Sequence, residues 1–258
     1  MTATWMTIAA AQIGSGPDPE ANLTLLEEYA GRAARSGATL VAFPEATMAC
    51  FGTDLASIAQ PLDGPFADGV RQCAQRLGVT LVVGMFEPVD DGRVYNTLLL
   101  TGPDGECTYR KIHLFDAFGS KESDTVAPGS EHVVTEVGGV KVGLATCYDL
   151  RFADQFTALG RAGAELVVVP ASWGDGPGKA EQWDVLARAR AMDAQAFLLA
   201  AGQAWRPPQG ADPLGIGRSC LTDGLGRVRA RLGHEQGVLT AQIDTAEVAP
   251  VRARVPIL

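Results

Sequence analysis

Short, almost wholly apolar runs of strand length recur along this chain, and segments with helical periodicity lie between them. The runs include residues 6–13, 39–45, 165–172 and 196–204. Helical patterns follow in "PFADGVRQCAQRLG" and in "KAEQWDVLARARAMDAQ". Regular alternation of buried strands with amphipathic helices is typical of layered α/β proteins. We therefore predict an α/β fold.

The segment after the first run carries the signals of a helix start. Asp18 is a good capping residue and Pro19 suits the first helical position. Leu23, Leu26 and Ala30 then recur at helical spacing. The first two elements are thus predicted to be a strand and a helix.

Three segments read as hairpins rather than as strand and helix units. The first is "VYNTLLLTGPDGECTYRKIHLF", which turns at "GPDG", and the second is "VVTEVGGVKVGLATCYD". The third is "SCLTDGLGRVRARL", and "GVLTAQID" supplies a final strand. We expect a single domain over residues 1–258. Its proline-interrupted tail, about residues 245–258, cannot form one long helix and either crosses its own domain or packs on a second subunit.

Composition narrows the classes of partner. The 258 residues carry a net charge of −9 without a basic cluster, so nucleic acid and anionic membrane surfaces are not expected partners. No segment approaches the roughly 18 apolar residues of a membrane span, and we expect a cytoplasmic protein.

Cysteine and histidine spacing argues against metal and disulfide frameworks. The five cysteines are odd in number, widely spaced and free of CxxC, and the three histidines show neither HExxH nor HxH spacing. We therefore expect at least one free thiol, no metal and no cofactor.

Cys147 ends the apolar part of "GLATCYDLRF" and precedes a predicted helix. A thiolate at such a turn is stabilised by helix N-terminal dipoles, and the adjacent N–H can receive an oxyanion. A buried structural cysteine explains the position equally well.

Glu45 and Lys111 also stand at the ends of strand-like runs, in "LVAFPEATM" and "TYRKIHLFD". Each alone is explained by ordinary solvation. Arg110 and Lys111 should point to opposite faces of their strand. Together the carboxylate, the ammonium and the thiol suit attack on an amide or nitrile carbon without metal.

The blocks "FPEATM", "YRKIHLFD" and "CYDLRF" resemble, in this order, the nitrilase superfamily of carbon–nitrogen hydrolases. Similarity is strongest to its amidase branch, the omega-amidases and deaminated glutathione amidases, and later blocks such as "GAELVVVPASW" extend it over nearly the whole chain. The resemblance implies a four-layer α-β-β-α sandwich and a homodimer.

The resemblance also implies roles for individual residues. Cys147 would be the nucleophile, Glu45 the general base and Lys111 the cation that stabilises the tetrahedral intermediate, assisted by the backbone N–H of Tyr148. Glu122, in "FGSKESD", matches a second glutamate that orients substrate or lysine. Loop composition alone would leave Glu122 solvated.

Several neighbouring residues have alternative interpretations. Trp173 is either a pocket wall or a packing anchor. Asp149 and Arg151 are expected to form a local ion pair that fixes the turn, and His113 and Asp116 are expected to serve loop architecture.

The resemblance is incomplete at one place. In "GIGRSC", Arg218 stands where many relatives have histidine, which weakens any assignment to a subgroup through this block.

The function expected from these observations is hydrolysis of a small carboxamide through a cysteine thioester, releasing ammonia or an amine and a carboxylic acid. Two alternatives remain. One is a catalytically silent protein that keeps the fold for binding or assembly. The other is an N-acyl transferase or a nitrilase that uses the same three residues.

Overall fold

Two β-sheets stacked face to face form the centre of the protein, as seen in a computed structural model that describes residues 4–207 and 215–258. The strands, in chain order, are β1 (Trp5–Gln12), β2 (Leu40–Ala42), β3 (Thr80–Pro88), β4 (Val94–Gly102), β5 (Gly105–Arg110), β6 (Val126–Ala127), β7 (Val133–Val137), β8 (Val140–Leu144), β9 (Leu166–Ala171), β10 (Phe197–Gly202), β11 (Cys220–Thr222), β12 (Val228–Arg231) and β13 (Gly237–Asp244). The helices are α1 (Pro19–Arg35), α2 (Leu55–Ile58), α3 (Pro65–Leu77), α4 (Ala153–Arg161), α5 (Lys179–Ala194) and α6 (Val248–Arg254).

Each sheet combines parallel and antiparallel pairs. The first runs β13-β1-β2-β3-β4-β5, with β6 beside β4, and the second runs β12-β11-β10-β9-β8-β7. Parallel pairing joins β1 to β2 and β2 to β3, and likewise β8 to β9 and β9 to β10. The carboxyl ends of these parallel strands meet at one edge of each sheet, which is where α/β proteins place functional residues.

Three hydrophobic clusters separate four layers. One lies between the sheets and includes Ile8, Leu98 and Val168. A second packs α1 and α3 on the first sheet, and a third packs α4 and α5 on the second sheet. The predicted four-layer α-β-β-α sandwich is therefore confirmed.

The local signals explain where the helices begin. The carboxylate of Asp18 accepts a hydrogen bond from the backbone N–H of Glu20, and Pro19 occupies the first turn of α1. Leu26 and Ala30 of α1 face the core. Helix α3 ends at Leu77 and is capped by Gly78, whose φ of 65° is a conformation that glycine adopts without strain.

Two regions differ in detail from the prediction. Strand β2 ends at Ala42, short of the expected residue 45, because the chain turns after Pro44 and Ala46 has a φ of 59°. The tail forms a 3₁₀ turn over Thr245–Glu247 and the short helix α6, and Pro250 lies in the first turn of α6, where proline is tolerated. Arg252 donates a hydrogen bond to the carbonyl of Ala164, so the tail lies against its own second helical layer.

Among the described residues, no helix has both the length and the apolar character needed to cross a membrane.

Candidate active site

Glu45 lies in the turn after β2 and is fully buried. One carboxylate oxygen accepts hydrogen bonds from Lys111 Nζ at 2.9 Å and from the Asn96 amide at 2.8 Å. The other accepts from the backbone N–H of Ser172, directly after β9, at 2.8 Å. The first sheet thus supplies the carboxylate, and the second sheet helps to hold it.

Lys111 follows the last residue of β5 and is only 2% exposed. Its Nζ lies 2.9 Å from an oxygen of Glu45 and 2.9 Å from an oxygen of Glu122. Arg110 points the other way and pairs with Glu87, with 43% of its side chain exposed. The two side chains therefore face opposite directions, as the strand pattern predicts.

Glu122 begins a single turn of 3₁₀ helix over Glu122–Asp124 and is buried. One of its oxygens also accepts a 2.6 Å hydrogen bond from the backbone N–H of Phe115. Glu122 therefore joins the lysine to the loop that follows it, a contact that loop composition alone did not indicate.

Cys147 is the first residue of a 3₁₀ turn over Cys147–Arg151, which is separated from the end of β8 by two residues. Its φ of 46° places a non-glycine residue in the left-handed region. Such a conformation is uncommon and must be held by its surroundings. Cys147 is 8% exposed and lines the same cavity as Glu45 and Lys111.

Burial and charge set the protonation of this cluster. Burial opposes the positive charge of Lys111, but the carboxylates of Glu122 and Glu45 outweigh that effect and raise its pKa well above the ordinary value. Burial and the charge of Glu45 raise the pKa of the Cys147 thiol well above its usual 9.0, and Lys111 only partly opposes them. The resting cluster thus holds a protonated thiol beside a carboxylate and an ammonium.

A cavity of about 660 Å³ opens onto these three groups. Its wall includes the predicted residues Glu122, Tyr148 and Trp173. The indole N–H of Trp173 donates to the carbonyl of Lys179, and the ring packs on Trp183. Trp173 is therefore both a pocket wall and a packing anchor.

Two cations lie on the same wall. The guanidinium of Arg151 lies 5.1 Å from the centre of the Trp173 ring, and Lys179 Nζ lies 3.8 Å from the centre of the Phe118 ring. Within residues 4–207 and 215–258, neither cation forms an ion pair with a carboxylate. Burial first, and then the charge of Arg151, lowers the pKa of Lys179.

Sequence reasoning missed Asn96. Its amide lies 2.8 Å from an oxygen of Glu45 and 3.3 Å from an oxygen of Glu122, and it donates to both. The register of the β4–β5 hairpin could have indicated Asn96. Thr97 pairs with Arg110, and Asn96 is therefore opposite Lys111. A polar residue at that place in the apolar strand "VYNTLLL" faces the same site.

The predicted ion pair between Asp149 and Arg151 is wrong. Asp149 is buried and accepts hydrogen bonds from Tyr109, His113 and the backbone of Thr146. Arg151 donates instead to Gln182 of α5. The carboxylate does fix the turn, but through the backbone of Thr146 and the side chains of Tyr109 and His113 from a neighbouring segment.

The remaining candidates lie outside the cluster. Asp116 accepts hydrogen bonds from the backbone N–H and the hydroxyl of Ser123 and so closes the loop that contains Glu122. Arg218 has a φ of 60° and pairs with Asp184 of α5. It does not line the cavity, so the departure in "GIGRSC" does not touch the site.

Known proteins resemble this chain over nearly its whole length. A family profile described as carbon-nitrogen hydrolase matches residues 7–253. Hydrolase Rv0480c of Mycobacterium tuberculosis is 52% identical, with 98% of this chain and 94% of that protein covered. A deaminated glutathione amidase of Escherichia coli O157:H7 is 34% identical over 98% of this chain and 96% of that protein. An omega-amidase NIT2 of Xenopus tropicalis is 33% identical over 97% and 92%.

Solved structures agree with the sequence relatives. Nit3 of Saccharomyces cerevisiae, a member of branch 10 of the nitrilase superfamily, has a TM-score of 0.86 and 26% identity, covering 98% of this chain and 95% of that one. The amidase of Nesterenkonia sp. AN1 has a TM-score of 0.81 and 26% identity, covering 95% and 92%. That structure is of a glutamate-to-glutamine mutant, and it shows the acetamide moiety of fluoroacetamide added covalently at the active-site cysteine.

Proposed function

Because this chain belongs to the carbon–nitrogen hydrolase family of the nitrilase superfamily, we propose that it hydrolyses a small carboxamide through a thioester on Cys147. The observation that carries the proposal is the meeting of Glu45, Lys111 and the thiol at the floor of one cavity. Acyl transfer through a cysteine of this kind needs no metal or cofactor.

Acylation begins with transfer of the thiol proton to Glu45, which lines the same cavity as Cys147. The sulfur attacks the carbonyl carbon, and the oxygen gains negative charge. Lys111 and the backbone N–H of Tyr148 stabilise that oxyanion. When the carbon–nitrogen bond breaks, Glu45 returns the proton to the nitrogen, and ammonia or an amine leaves.

Deacylation repeats the chemistry with water. Glu45 takes a proton from the water, which attacks the thioester carbon, and Lys111 again stabilises the oxyanion. The carbon–sulfur bond breaks, the sulfur receives the proton, and the products are a carboxylic acid and the free thiol. Glu122 holds Lys111 in place through both half-reactions, since it accepts two hydrogen bonds from Nζ.

The cavity wall favours a substrate that carries a negative charge away from the scissile amide. Arg151 and Lys179 line the cavity, and both are free of a carboxylate partner in the described part of the chain. Two neighbouring cations without a counter-ion are stabilised by an anionic ligand. We therefore take a carboxylate-bearing amide as the substrate class, bounded on one side by Trp173.

The first experiment tests turnover and the nucleophile. Glutaric acid monoamide is supplied, and ammonia and glutarate are measured for the unmodified protein and for Cys147→Ala. Cys220→Ala is the matched control, because Cys220 is also buried but lies outside the cavity. We expect Cys147→Ala to lose turnover while remaining folded and Cys220→Ala to retain it. Full turnover by Cys147→Ala would overturn the proposal.

Product analysis separates the alternatives. The same assay with a matched nitrile, and with hydroxylamine as a competing acceptor, tests nitrile hydrolysis and acyl transfer. Absence of turnover on all of these substrates, with an unreactive Cys147 thiol, would favour the silent binding protein.

A second experiment tests the charge preference. Glutaric acid monoamide, pentanamide and 5-aminopentanamide differ chiefly in terminal charge, and we expect kcat/KM to fall in that order. Lys179→Glu should shift the preference toward the cationic amide. Lys121 lines the same cavity but pairs with Asp124 at 2.8 Å, so Lys121→Glu is the control and should shift the preference less.

Assembly and location complete the proposal. We propose a homodimer, with the tail after residue 245 near the interface, because exposed Val185 and Met192 lie on the outer helix α5. Sedimentation equilibrium tests this directly, and a monomer at micromolar concentration would refute it.

A cytoplasmic location agrees with five cysteines in the free thiol form, and labelling of these thiols in fractionated cells tests it.

A further inference from the structure

Asp149 joins the two chain segments that carry Lys111 and Cys147. Its carboxylate is fully buried. One oxygen accepts from the hydroxyl of Tyr109 at 2.6 Å and from the backbone N–H of Thr146 at 2.7 Å. The other accepts from the backbone N–H of His113 at 3.1 Å and from its Nδ1 at 2.9 Å. Because an ionised carboxylate only accepts, Nδ1 of His113 carries the proton.

The residues of this network flank Lys111 and Cys147 in the sequence. Tyr109 and His113 stand two residues before and two residues after Lys111. Thr146 and Asp149 stand one residue before and two residues after Cys147. A single buried carboxylate therefore holds both segments at a fixed separation.

The tyrosine hydroxyl is held as a donor. Burial and the neighbouring charge of Asp149 raise the pKa of Tyr109 well above its usual 10.0, so the hydroxyl keeps its proton. The same oxygen accepts from the Gln155 amide at 3.0 Å, which connects the network to α4. A buried charge with this many donors resists displacement, because breaking any bond leaves it less satisfied.

We propose that Asp149, Tyr109 and His113 form a clamp that sets the placement of the Cys147 thiol relative to Lys111. This inference rests on the proposed nucleophilic role of Cys147. The three are positioning residues, since they touch neither sulfur nor substrate. They maintain the left-handed backbone conformation of Cys147, with its φ of 46°. They thereby hold the thiol near Lys111, the ammonium that stabilises the oxyanion.

The test removes one donor from each side of the carboxylate and leaves Asp149 in place. Tyr109→Phe deletes only the hydroxyl. His113→Phe deletes the Nδ1–H donor and keeps a ring to stack on Phe152, whose centre is 3.6 Å from that of His113. His113 is partly exposed, so the second variant remains informative if the first does not fold. Tyr95→Phe is the matched control, because its ring lies against Arg110 on the neighbouring strand, away from the carboxylate.

Two readouts separate positioning from general stability. We expect Tyr109→Phe and His113→Phe each to lower kcat on glutaric acid monoamide by about tenfold or more while KM changes less than about threefold. The rate at which iodoacetamide alkylates Cys147, followed by peptide mass at several pH values, should fall in parallel. Tyr95→Phe should match the unmodified protein in both measurements.

The outcomes are distinguishable from failure of the proposed function. If both variants fold and keep kcat and the alkylation profile within about twofold, the clamp is refuted even though amide hydrolysis stands. If Cys147→Ala still hydrolyses amides, the nucleophile assignment fails first. A lower melting temperature with unchanged kcat would assign the network to stability alone and would also overturn the proposal.

Discussion

Gly84 of β3 lies directly beneath Glu45. A Cβ built on Gly84 would come within 2.9 Å of the Cα of Glu45 and within 2.8 Å of the backbone of Pro44 and Ala46. The missing side chain therefore lets the turn that carries the carboxylate pack closely on the sheet. The backbone N–H of Met48 donates to the carbonyl of Gly84 and closes the contact from the other end of the turn.

Gly84→Ala should displace Glu45, because the clashing atoms belong to the backbone and cannot rotate away. We expect a loss of stability of about 1–3 kcal/mol, the usual cost of overpacking. We also expect kcat on an amide to fall by about tenfold or more, since small displacements of a general base are costly. Urea unfolding and steady-state kinetics measure the two effects.

Gly14→Ala is the control for that substitution. A Cβ on Gly14 would meet nothing within 4 Å, and its φ is not positive. We expect stability and kcat close to those of the unmodified protein. Equal behaviour of the two alanine variants would contradict the role assigned to Gly84.

Asn96→Asp should place a third carboxylate against Glu45 and Glu122, where the asparagine amide now donates to both. Like charges in a buried site repel strongly, and the ammonium of Lys111 already pairs with both glutamates. We expect kcat to fall by at least about tenfold at neutral pH, with partial recovery as the pH is lowered and one carboxyl takes a proton. Activity that does not depend on pH in this way would argue against the repulsion.

Much of the site was predictable because its polar residues interrupt apolar patterns. Glu45 and Cys147 each end a run of apolar residues, and Lys111 alternates with Arg110 along one strand. The apolar runs predicted the α/β class, since strands that bury both faces require cover on both sides, whereas the four-layer arrangement was implied by the family resemblance.

The contacts that hold the site were not predictable in the same way. Asp149 looked like a partner for Arg151, which is near in sequence, yet its side-chain donors are Tyr109 and His113, about 40 residues earlier. The left-handed conformation of Cys147 has no local signal, because neither glycine nor asparagine occupies the position. Both features depend on how distant strands pack.

Glu45→Gln should lower the pKa of the Cys147 thiol while it abolishes turnover. Burial is the largest cause of the raised thiol pKa and persists in the variant, but the charge of Glu45 is the next cause and is removed. Lys111 remains and favours the thiolate. Thiolate absorbance in the ultraviolet, compared with Glu45→Gln/Cys147→Ala, should therefore appear at lower pH than in the unmodified protein.

The same variant should lose at least about 100-fold in kcat, because no base remains to take the thiol proton. A variant with more thiolate and less activity would separate general-base catalysis from simple thiol ionisation. A thiol titration that stays in place or moves to higher pH would contradict the electrostatic assignment.

Stability should decline in alkaline solution because buried thiols keep their protons in the folded protein. Burial raises the pKa of Cys220 from 9.0 to about 12, and burial is also the main cause that raises the pKa of Cys73 to about 11. A raised folded pKa gives stability that is present below about pH 9 and is lost as the pH rises through the folded pKa. For Cys220 the window is therefore from about pH 9 to about pH 12.

Cys220→Ala isolates that contribution. Below about pH 9 the variant should be less stable than the unmodified protein, because alanine leaves unfilled space in the core. Above about pH 9 the difference in free energy of unfolding between the two proteins should shrink. The change should be up to about 1.4 kcal/mol per pH unit, because one proton separates the folded from the unfolded chain. Urea unfolding at pH 8, 9, 10 and 11 measures it. Val167→Ala, on buried strand β9, removes apolar volume without a titratable group, so its difference should stay constant across the series. Parallel curves for both variants would show that the Cys220 thiol ionises equally in the folded and unfolded chains.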